Sequence, residues 1–344
     1  MERKDEHLKL ALIQKEGQND FDNIRFVHNA LHGASFSKLD LKTSFANLKL
    51  DLPIYINAMT GGTKKAEAIN EKLAKLANHF SIPIATGSLS VLLNDDRNVD
   101  SFKVIRKHNP NGIVFANVGA DKTLDQVNKI IDVLCPNLLQ IHLNIPQEMV
   151  MPEGDRDFSK LEQNIKDIVQ GIKIPVIVKE VGFGMSKSTI EKLKSLGVKT
   201  IDVSGSGGTN FIKIENARRF RQFEYLNEYG LSTVESLLEA NTVSDVEILA
   251  SGGIRNPYDV VKALALGARS VGMSKYFLEL VVNNNYEDAI NKFNEFIEDV
   301  KTIMTILGVS TIKELKNLEL IFSNSLINYI KQRNIANNIL RSRN

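Results

Sequence analysis

The chain has 344 residues and a formal net charge of +2, with 43% hydrophobic and 24% charged residues. This balance predicts a globular protein with a sizeable core, and it gives no reason to expect a nucleic-acid or anionic-membrane partner. The first ten residues are charged where a signal peptide needs an apolar stretch, and no run is long enough for a membrane span. We therefore expect a cytoplasmic protein, in which the single cysteine, Cys135, is a small core residue.

A short apolar run rich in β-branched residues recurs along the chain, and a longer amphipathic stretch follows most of these runs. Near-continuous apolarity is typical of strands buried on both faces of a parallel sheet. The eight runs are residues 53–58, 82–86, 112–117, 138–143, 174–179, 200–203, 247–251 and 269–273. The intervening stretches, such as 66–79 and 187–196, have helical periodicity, and several end on glycine or asparagine.

Eight strand–helix units without a break in composition predict an α/β fold, a closed (β/α)8 TIM barrel in one domain spanning residues 1–344. The alternative is an open doubly wound sheet, which the lack of a G-x-G-x-x-G turn after the first strand weakens. Residues 211–239 are too long for one crossover helix, so they predict an insertion between strands six and seven. Residues 287–306 and 311–321 predict extra terminal helices, in a C-terminal region that we place at about 287–344.

Polar and small residues gather where seven of the predicted strands run into their following loops, which is where barrel enzymes carry their chemistry. Tight turns alone explain any one of these loops, but they explain seven at one end of the barrel poorly. The segments are 57–62, 86–88, 117–119, 142–148, 179–180, 204–210 and 251–253. We therefore predict an active site at the C-terminal ends of the strands.

Two features of this end predict a phosphate and a cofactor ring. Gly252 and Gly253 after strand seven, and residues 272–275 after strand eight, lie where barrels bind phosphate through backbone N–H groups. Lys179 ends an otherwise apolar strand, where burying its charge is costly unless it meets an anion or strong acceptors. This lysine predicts a cation beside a flavin ring; the alternative is a snorkelling lysine or one paired with Glu180.

Two further groups predict contacts with an anionic substrate. Glu148 stands beside Gln147, and a carboxylate next to a carboxamide can hold Mg²⁺ while neighbours hold the substrate. Carboxylates on loops are, however, usually only solvated. If the first residues are helical, Arg3, Lys4 and His7 can face one way and suit phosphate oxygens; the alternative is a disordered basic tail.

These motifs extend into longer stretches that cover the whole chain. They read NAMTGG at 57–62, GS at 87–88, FANVG at 115–119, QIHLN at 140–144, QEMVMPEGDRDF at 147–158, VIVKEVGFGMS at 176–186, GGTNFIKIENARR at 207–219, ASGGI at 250–254 and LGARSVGMS at 266–274. Together with Arg3, Lys4 and His7, they resemble the type 2, flavin-dependent isopentenyl-diphosphate isomerase family. The stretches at 147–158 and 176–186 are highly specific to that family.

The resemblance implies interconversion of isopentenyl diphosphate and dimethylallyl diphosphate in isoprenoid biosynthesis, an allylic 1,3-proton shift without net redox change. It implies reduced FMN and Mg²⁺ as cofactors and NADPH as the reductant. Reduced flavin would supply the proton donor and acceptor, because ordinary carboxylic acids protonate an isolated alkene slowly. We also expect a homo-oligomer whose ligand is a small diphosphate, with neither a nucleic-acid nor a membrane partner.

Matched position by position, the resemblance assigns roles to individual residues. The implied FMN contacts are Ala58, Met59, Thr60, Ser88, Asn117, Lys179, Thr209, Gly252, Gly253, Ser274 and Lys275. The implied substrate contacts are Arg3, Lys4, Ser88, Leu89, Ser90, His142, Asn144 and Gln147. Glu148 is the implied metal ligand, and Gln147 is the implied catalytic residue, which orients or relays rather than acting as a strong acid. About the first ten residues form the substrate-binding arm.

The chain departs from the family pattern after strand two. Many members read GSQR there, whereas this chain reads Gly87-Ser88-Leu89-Ser90 and lacks the arginine contact to phosphate. Either Arg97 reaches the same anion or the N-terminal cations bear more of the binding.

Other functions fit the sequence less well. A 2-hydroxyacid oxidase-like FMN barrel needs a histidine base after strand six, and this chain has no histidine beyond His142. A barrel dehydrogenase with a cysteine nucleophile, as in inosine-monophosphate dehydrogenase, needs that cysteine on a top-face loop, and Cys135 lies before strand four. A non-catalytic flavin-binding or phosphate-binding protein is the third alternative, which flavin bleaching followed by an isomerase assay would distinguish.

Overall fold

The computed structural model describes residues 3–14, 17–94 and 97–335, which form twelve strands and fourteen α-helices. The strands β1 to β12 are Ile24–Phe26, Thr43–Phe45, Leu48–Leu50, Ile54–Ile56, Ile84–Ser88, Val114–Gly119, Leu138–His142, Val176–Lys179, Thr200–Asp202, Glu247–Ser251, Val271–Met273 and Leu320–Phe322. The helices α1 to α14 are Arg3–Ile13, Lys64–Phe80, Asp100–His108, Leu124–Ile131, Ile145–Val150, Leu161–Gly171, Lys187–Ser195, Phe211–Ala217, Thr233–Ala240, Pro257–Ala265, Lys275–Asn283, Tyr286–Ile306, Ile312–Leu315 and Asn324–Gln332.

Strands β4 to β11 form a closed parallel barrel, so the predicted (β/α)8 fold is confirmed. Each of the eight predicted apolar runs contains or overlaps one of these strands, and β11 closes the barrel by pairing with β4. The register places Gly119, His142, Lys179 and Asp202 side by side on four neighbouring strands. Polar residues at the strand ends therefore lie at one level of the barrel.

Helices surround the barrel because their apolar faces pack against the outward side chains of the strands, and these residues share one large core. Thr63 begins α2 by accepting a hydrogen bond from the Ala66 amide, and Thr123 and Ser232 form capping boxes at α4 and α9. No helix in the described ranges is both long and apolar enough to cross a membrane.

The hairpin of β2 and β3 closes the barrel at the N-terminal ends of its strands. Phe45 of this hairpin packs with its ring centroid 6.2 Å from those of Tyr55 and Phe115, which point into the barrel interior. The Ala46 amide donates to the carboxylate of Glu247, the first residue of β10. The barrel interior is thus filled at the N-terminal ends of its strands.

The stretches outside the repeat fit the predictions except at the C-terminus. The predicted insertion contains α8 and the following loop, before α9 crosses back to β10. The predicted helix 287–306 corresponds to α12, but the predicted helix 311–321 is wrong. Only α13 forms there, and β12 then pairs antiparallel with β1 through contacts such as Ile24 with Phe322. A distant strand partner thus overrides the local helical pattern.

The prediction for Cys135 is also wrong, because this residue is exposed. It lies in the turn before β7 with a φ of 43°, and its thiol donates to the Asp132 carbonyl oxygen at 3.6 Å. This left-handed turn, followed by Pro136, directs the side chain away from the core. The assignment of the whole chain to one domain stays a prediction.

Candidate active site

A cavity of about 620 Å³ opens at the C-terminal ends of the barrel strands, and α1 contributes to its wall. Residues following every barrel strand line it, from Asn57 after β4 to Lys275 after β11. This volume is typical of small-molecule sites. The sequence therefore correctly predicted that these polar segments meet around one space.

Most residues with a predicted contact line this cavity. All the predicted FMN contacts do so: Ala58, Met59, Thr60, Ser88, Asn117, Lys179, Thr209, Gly252, Gly253, Ser274 and Lys275. The predicted substrate and metal contacts that do so are Lys4, Ser88, Ser90, His142, Asn144, Gln147 and Glu148.

Three residues behave differently. Leu89 does not line the cavity, because its side chain is fully buried in the hydrophobic core. Only the backbone of this residue is therefore left for a ligand contact. Arg97 is exposed and is also absent from the lining, so the structure does not place it as the substitute phosphate contact. Helix α1 begins at Arg3, whose side chain lies outside the described part of the chain.

Glycines from the loops after β9 and β10 form a tight cradle on one side of the cavity. Gly252 and Gly253 have φ values of 88° and 72°, which L side chains rarely adopt. A Cβ atom on Gly252 would lie 2.1 Å from the Gly205 carbonyl oxygen, and one on Gly208 would lie 2.7 Å from the Gly253 nitrogen. The two loops therefore pack backbone against backbone at these glycines.

Asn19 clamps this cradle from outside, and sequence reasoning missed it. Its Nδ2 donates to the carbonyl oxygens of Gly253 at 2.6 Å and Gly207 at 3.3 Å, while its Oδ1 accepts from the Phe21 amide. The side chain is buried. No local pattern connects this asparagine with the cradle, because the two carbonyl oxygens that it bonds there lie more than 180 residues away in the sequence.

Two polar groups extend the site from the cradle towards the barrel axis. Thr60 lines the cavity, and its buried Oγ1 has no hydrogen-bond partner among the described residues. Lys179 is only 6% exposed. Burial lowers the pKa of its ammonium group, although the negative charges of Asp202 and Glu180 act to raise it. A buried donor or acceptor without a partner is costly, so Thr60 indicates a ligand that completes its bonding.

The alternative of a Lys179–Glu180 side-chain pair does not match the hydrogen bonds. Lys179 Nζ donates to the backbone carbonyl of Glu180, whereas the Glu180 carboxylate accepts from the amides of Val181, Gly182 and Phe183. Burial raises the pKa of Glu180 to about 7, although these amides oppose the shift. Glu180 thus shapes the turn after β8.

Helix α1 packs over the cavity, so the helical arrangement that was considered for the first residues is found in the described part of the chain, and the disordered tail is not. His7, Leu8 and Ala11 line the cavity. The anchoring contacts are Lys4 Nζ to the Ser88 carbonyl oxygen (3.3 Å), Thr63 Oγ1 to Asp5 Oδ1 (2.8 Å), Arg218 Nε to Glu6 Oε2 (3.1 Å) and Gln14 Nε2 to the Asn210 carbonyl oxygen (3.2 Å). The helix excludes water from part of the site.

Glu215 on α8 links this helix to Gln147. The carboxylate is fully buried, and its Oε1 lies 3.0 Å from His7 Nε2 and accepts from Gln147 Nε2 at 3.1 Å. Burial opposes its ionisation, but hydrogen bonds from His7, Gln147 and Arg218 outweigh burial and lower the pKa of Glu215. In the sequence, Glu215 falls within the predicted insertion 211–239, and it was not identified there as part of the site.

Glu148 has both carboxylate oxygens engaged. Oε1 accepts from Asn144 Nδ2 at 2.7 Å, and Oε2 accepts from the Asp155 amide at 2.9 Å. Among the described residues, no group of three or more histidine, cysteine, aspartate or glutamate side chains is arranged to hold a metal ion. A Mg²⁺ ion bound at Glu148 would therefore take most of its ligands from water and a phosphate ester, as Mg²⁺ commonly does.

The comparisons with known proteins agree with this geometry. The family model described as FMN-dependent dehydrogenase matches residues 140–321. Isopentenyl-diphosphate delta-isomerase from Staphylococcus saprophyticus subsp. saprophyticus is 48% identical over 97% of each chain. The proteins of the same name from Staphylococcus haemolyticus and Staphylococcus aureus are 46% and 44% identical, again over 97% of each chain.

Solved structures support the fold alone. A flavocytochrome b2 mutant with pyruvate bound has a TM-score of 0.69 at 19% identity, covering 94% of this chain and 87% of that one. A mandelate oxidase mutant has a TM-score of 0.66 at 16% identity, covering 92% of both chains.

Proposed function

Since the chain belongs to the flavin-dependent, type 2 isopentenyl-diphosphate delta-isomerases, we propose that it interconverts isopentenyl diphosphate and dimethylallyl diphosphate in the cavity under α1. The proposal includes bound FMN and Mg²⁺, NADPH as the reductant, and a homo-oligomer in the cytoplasm. When bound and reduced, FMN supplies the proton donor and acceptor that an isolated alkene requires.

The glycine cradle and the groups beside it fit FMN. Gly207, Gly208, Gly252 and Gly253 would hold the phosphate through backbone N–H groups. Thr60 Oγ1, which has no hydrogen-bond partner in the part of the chain that the structure describes, lies in the same cavity and would bond the ring. Lys179 would stabilise negative charge on the reduced ring, and this interaction would add to the Glu180 carbonyl oxygen and the Asp202 charge in offsetting the burial of its ammonium group.

The other side of the cavity fits a diphosphate. Lys4, Ser90, His142 and Asn144 line it together with Glu148. A carboxylate-bound Mg²⁺ would bridge the phosphate oxygens, and the lysine would add a point charge. Because Leu89 is in the core and Arg97 does not line the cavity, Lys4 on α1 is the cation we assign in place of the missing arginine.

Gln147 would orient the carbon end of the substrate. The ionised Glu215 accepts from its Nε2, which leaves Oε1 without a hydrogen bond to any described residue. His7 contacts the same carboxylate, so the position of α1 and the direction of the carboxamide are linked. Helix α1 and Gln147 together would exclude water that could capture a developing cation.

The observation that carries the proposal is that one cavity is lined both by the glycine cradle and by Lys4 and Glu148. The test uses purified protein with FMN and Mg²⁺, primed by NADPH under anaerobic conditions and supplied with isopentenyl diphosphate. We expect dimethylallyl diphosphate to accumulate over many turnovers while NADPH loss stops after flavin reduction. NADPH loss matching product formation would instead indicate an oxidoreductase, and no product with fully reduced flavin would exclude the isomerase.

A further inference from the structure

A chain of side-chain hydrogen bonds crosses the barrel interior beneath the cavity and ends at His142. Asn57 Nδ2 donates to Asp202 Oδ2 at 3.0 Å, Gln140 Nε2 donates to Asn57 Oδ1 at 3.2 Å, and Asn117 Nδ2 donates to Gln140 Oε1 at 2.8 Å. Asn117 Oδ1 lies 2.8 Å from His142 Nδ1. Asp202, Asn57, Gln140 and Asn117 are at most 2% exposed. The three side-chain amides among them therefore bond protein groups rather than bulk water.

The contacts of Asp202 and Asn57 fix which atom donates and which accepts at this end of the hydrogen-bond chain. The carboxylate accepts from Tyr55 Oη at 2.7 Å and from Ser251 Oγ at 2.8 Å as well as from Asn57, so both of its oxygens act as acceptors. The Ala58 amide donates to Asn57 Oδ1 at 2.8 Å. A carboxylate on one side and a backbone N–H on the other therefore allow only one orientation of the Asn57 amide.

Each following amide passes the direction on, because a carboxamide has one accepting and one donating end. Gln140 must give its Nε2 to Asn57, so its Oε1 faces Asn117. Asn117 must donate its Nδ2 to that oxygen, so its own Oδ1 is left as an acceptor. Since Asn117 Oδ1 faces His142 Nδ1, this ring nitrogen must carry a proton. Burial, reinforced by the Lys179 charge, lowers the pKa of His142 to about 4, so the ring is neutral near pH 7.

We propose that Gln140 is a positioning residue that connects the fixed pair Asp202–Asn57 to Asn117 and thereby holds His142 in the Nδ1–H tautomer. The other ring nitrogen, Nε2, then offers a lone pair instead of a proton. It suits a hydrogen-bond donor, such as a water molecule on the Mg²⁺ that accompanies a diphosphate. Only the identity of this ligand rests on the proposed function; the tautomer itself does not.

The test reads the tautomer directly by long-range ¹H–¹⁵N NMR on FMN-bound protein labelled with ¹⁵N-histidine. Protonated and unprotonated ring nitrogens resonate far apart, and the His142→Gln variant identifies the signals of this ring. We expect wild-type protein to carry the proton on Nδ1. Gln140→Met removes the amide at similar size and should give a mixture of both tautomers, because Asn117 can then turn.

A matched variant separates hydrogen-bond direction from packing. Gln140→Glu, protonated in this buried position, can still donate to Asn57 and accept from Asn117, so it should keep the Nδ1–H form. Tyr55→Phe removes another Asp202 hydrogen bond without cutting the chain, and it should also keep that form. If the two tautomers become equally populated in Gln140→Met, apparent binding of Mg²⁺–pyrophosphate should weaken about twofold.

Three results would overturn the proposal. They are a wild-type proton on Nε2, a Gln140→Met protein that keeps the Nδ1–H form, and a tautomer change in Tyr55→Phe as large as in Gln140→Met. The wild-type spectrum decides the tautomer whether or not the Gln140 and Tyr55 variants fold, because only His142→Gln is needed to assign the signals. Since the measurement needs no turnover, a failed isomerase assay would leave its outcome readable.

Discussion

Exchanging Glu148 for glutamine tests whether this carboxylate holds Mg²⁺ for the diphosphate. Both of its oxygens accept hydrogen bonds, from Asn144 Nδ2 and the Asp155 amide, and these bonds fix the orientation of the side chain. Glutamine keeps the shape but replaces one acceptor by a donor and removes the charge. We expect the FMN complex to form normally, because the glycine cradle and Lys179 are untouched, while isomerase activity falls steeply.

The size of the loss follows from two contributions. One hydrogen bond to a charged acceptor is worth about 1.5–3 kcal/mol, and a neutral amide is a weaker Mg²⁺ ligand than a carboxylate. A total of about 3 kcal/mol corresponds to a rate reduction on the order of a hundredfold. Raising the Mg²⁺ concentration should recover part of it, because weaker binding is offset by mass action.

The assay compares flavin spectra and activity across a Mg²⁺ titration for wild type, Glu148→Gln and Asp157→Asn. Asp157 is a carboxylate on the same segment that does not line the cavity, so its variant controls for the loss of a nearby charge. Normal activity and normal Mg²⁺ dependence in Glu148→Gln would refute the role given to this carboxylate. Equal losses in both variants would refute it as well.

Three further predictions concern the cofactor side and α1. Lys179→Ala should weaken FMN binding roughly 10- to 100-fold, the equivalent of one charged hydrogen bond, and an unchanged dissociation constant in a flavin titration would contradict the contact. Asn19→Ala leaves the Gly253 and Gly207 carbonyls without their donor and should weaken FMN binding roughly tenfold, measured the same way, whereas a lowered Tm with unchanged FMN affinity would restrict Asn19 to a structural role. Because the pKa of Glu215 is lowered in the folded protein, its contribution to stability is present above its ordinary pKa of 4.5 and is lost as the pH falls through the lower folded value. The difference in unfolding free energy between wild type and Glu215→Gln should therefore shrink below pH 4.5 in urea titrations. A constant difference would show that the partners of this carboxylate do not stabilise its ionised form.

The barrel and most of the cavity lining could be predicted because their signals are local. A strand buried on both faces needs a short apolar run, and a ligand site on a barrel needs polar residues directly after such runs. Gly252, Lys179 and Glu148 all satisfy this rule, so their position in the sequence was enough to bring them together. The prediction needed no knowledge of which strands pair.

The missed features depend on contacts between distant parts of the chain. Asn19 and Glu215 look like ordinary polar residues until the glycine cradle and α1 surround them. The strand β12 forms because β1 is available to pair with it, and this partner lies almost 300 residues earlier in the sequence. Cys135 was misplaced for a different reason, since a positive φ at a residue other than glycine is not readable from composition.

The pairing of β1 with β12 also has a consequence for how the protein is made. Residues leave the ribosome from the N-terminus onward, at about 5–20 residues per second. Ile24–Phe26 therefore waits for its strand partner until Leu320–Phe322 has been synthesised, although the barrel strands between them are already complete. Asn19 lies five residues before Ile24, so the clamp on the glycine cradle is attached to a segment that is secured last. A nascent chain stalled before residue 320 should consequently bind flavin more weakly than the finished protein.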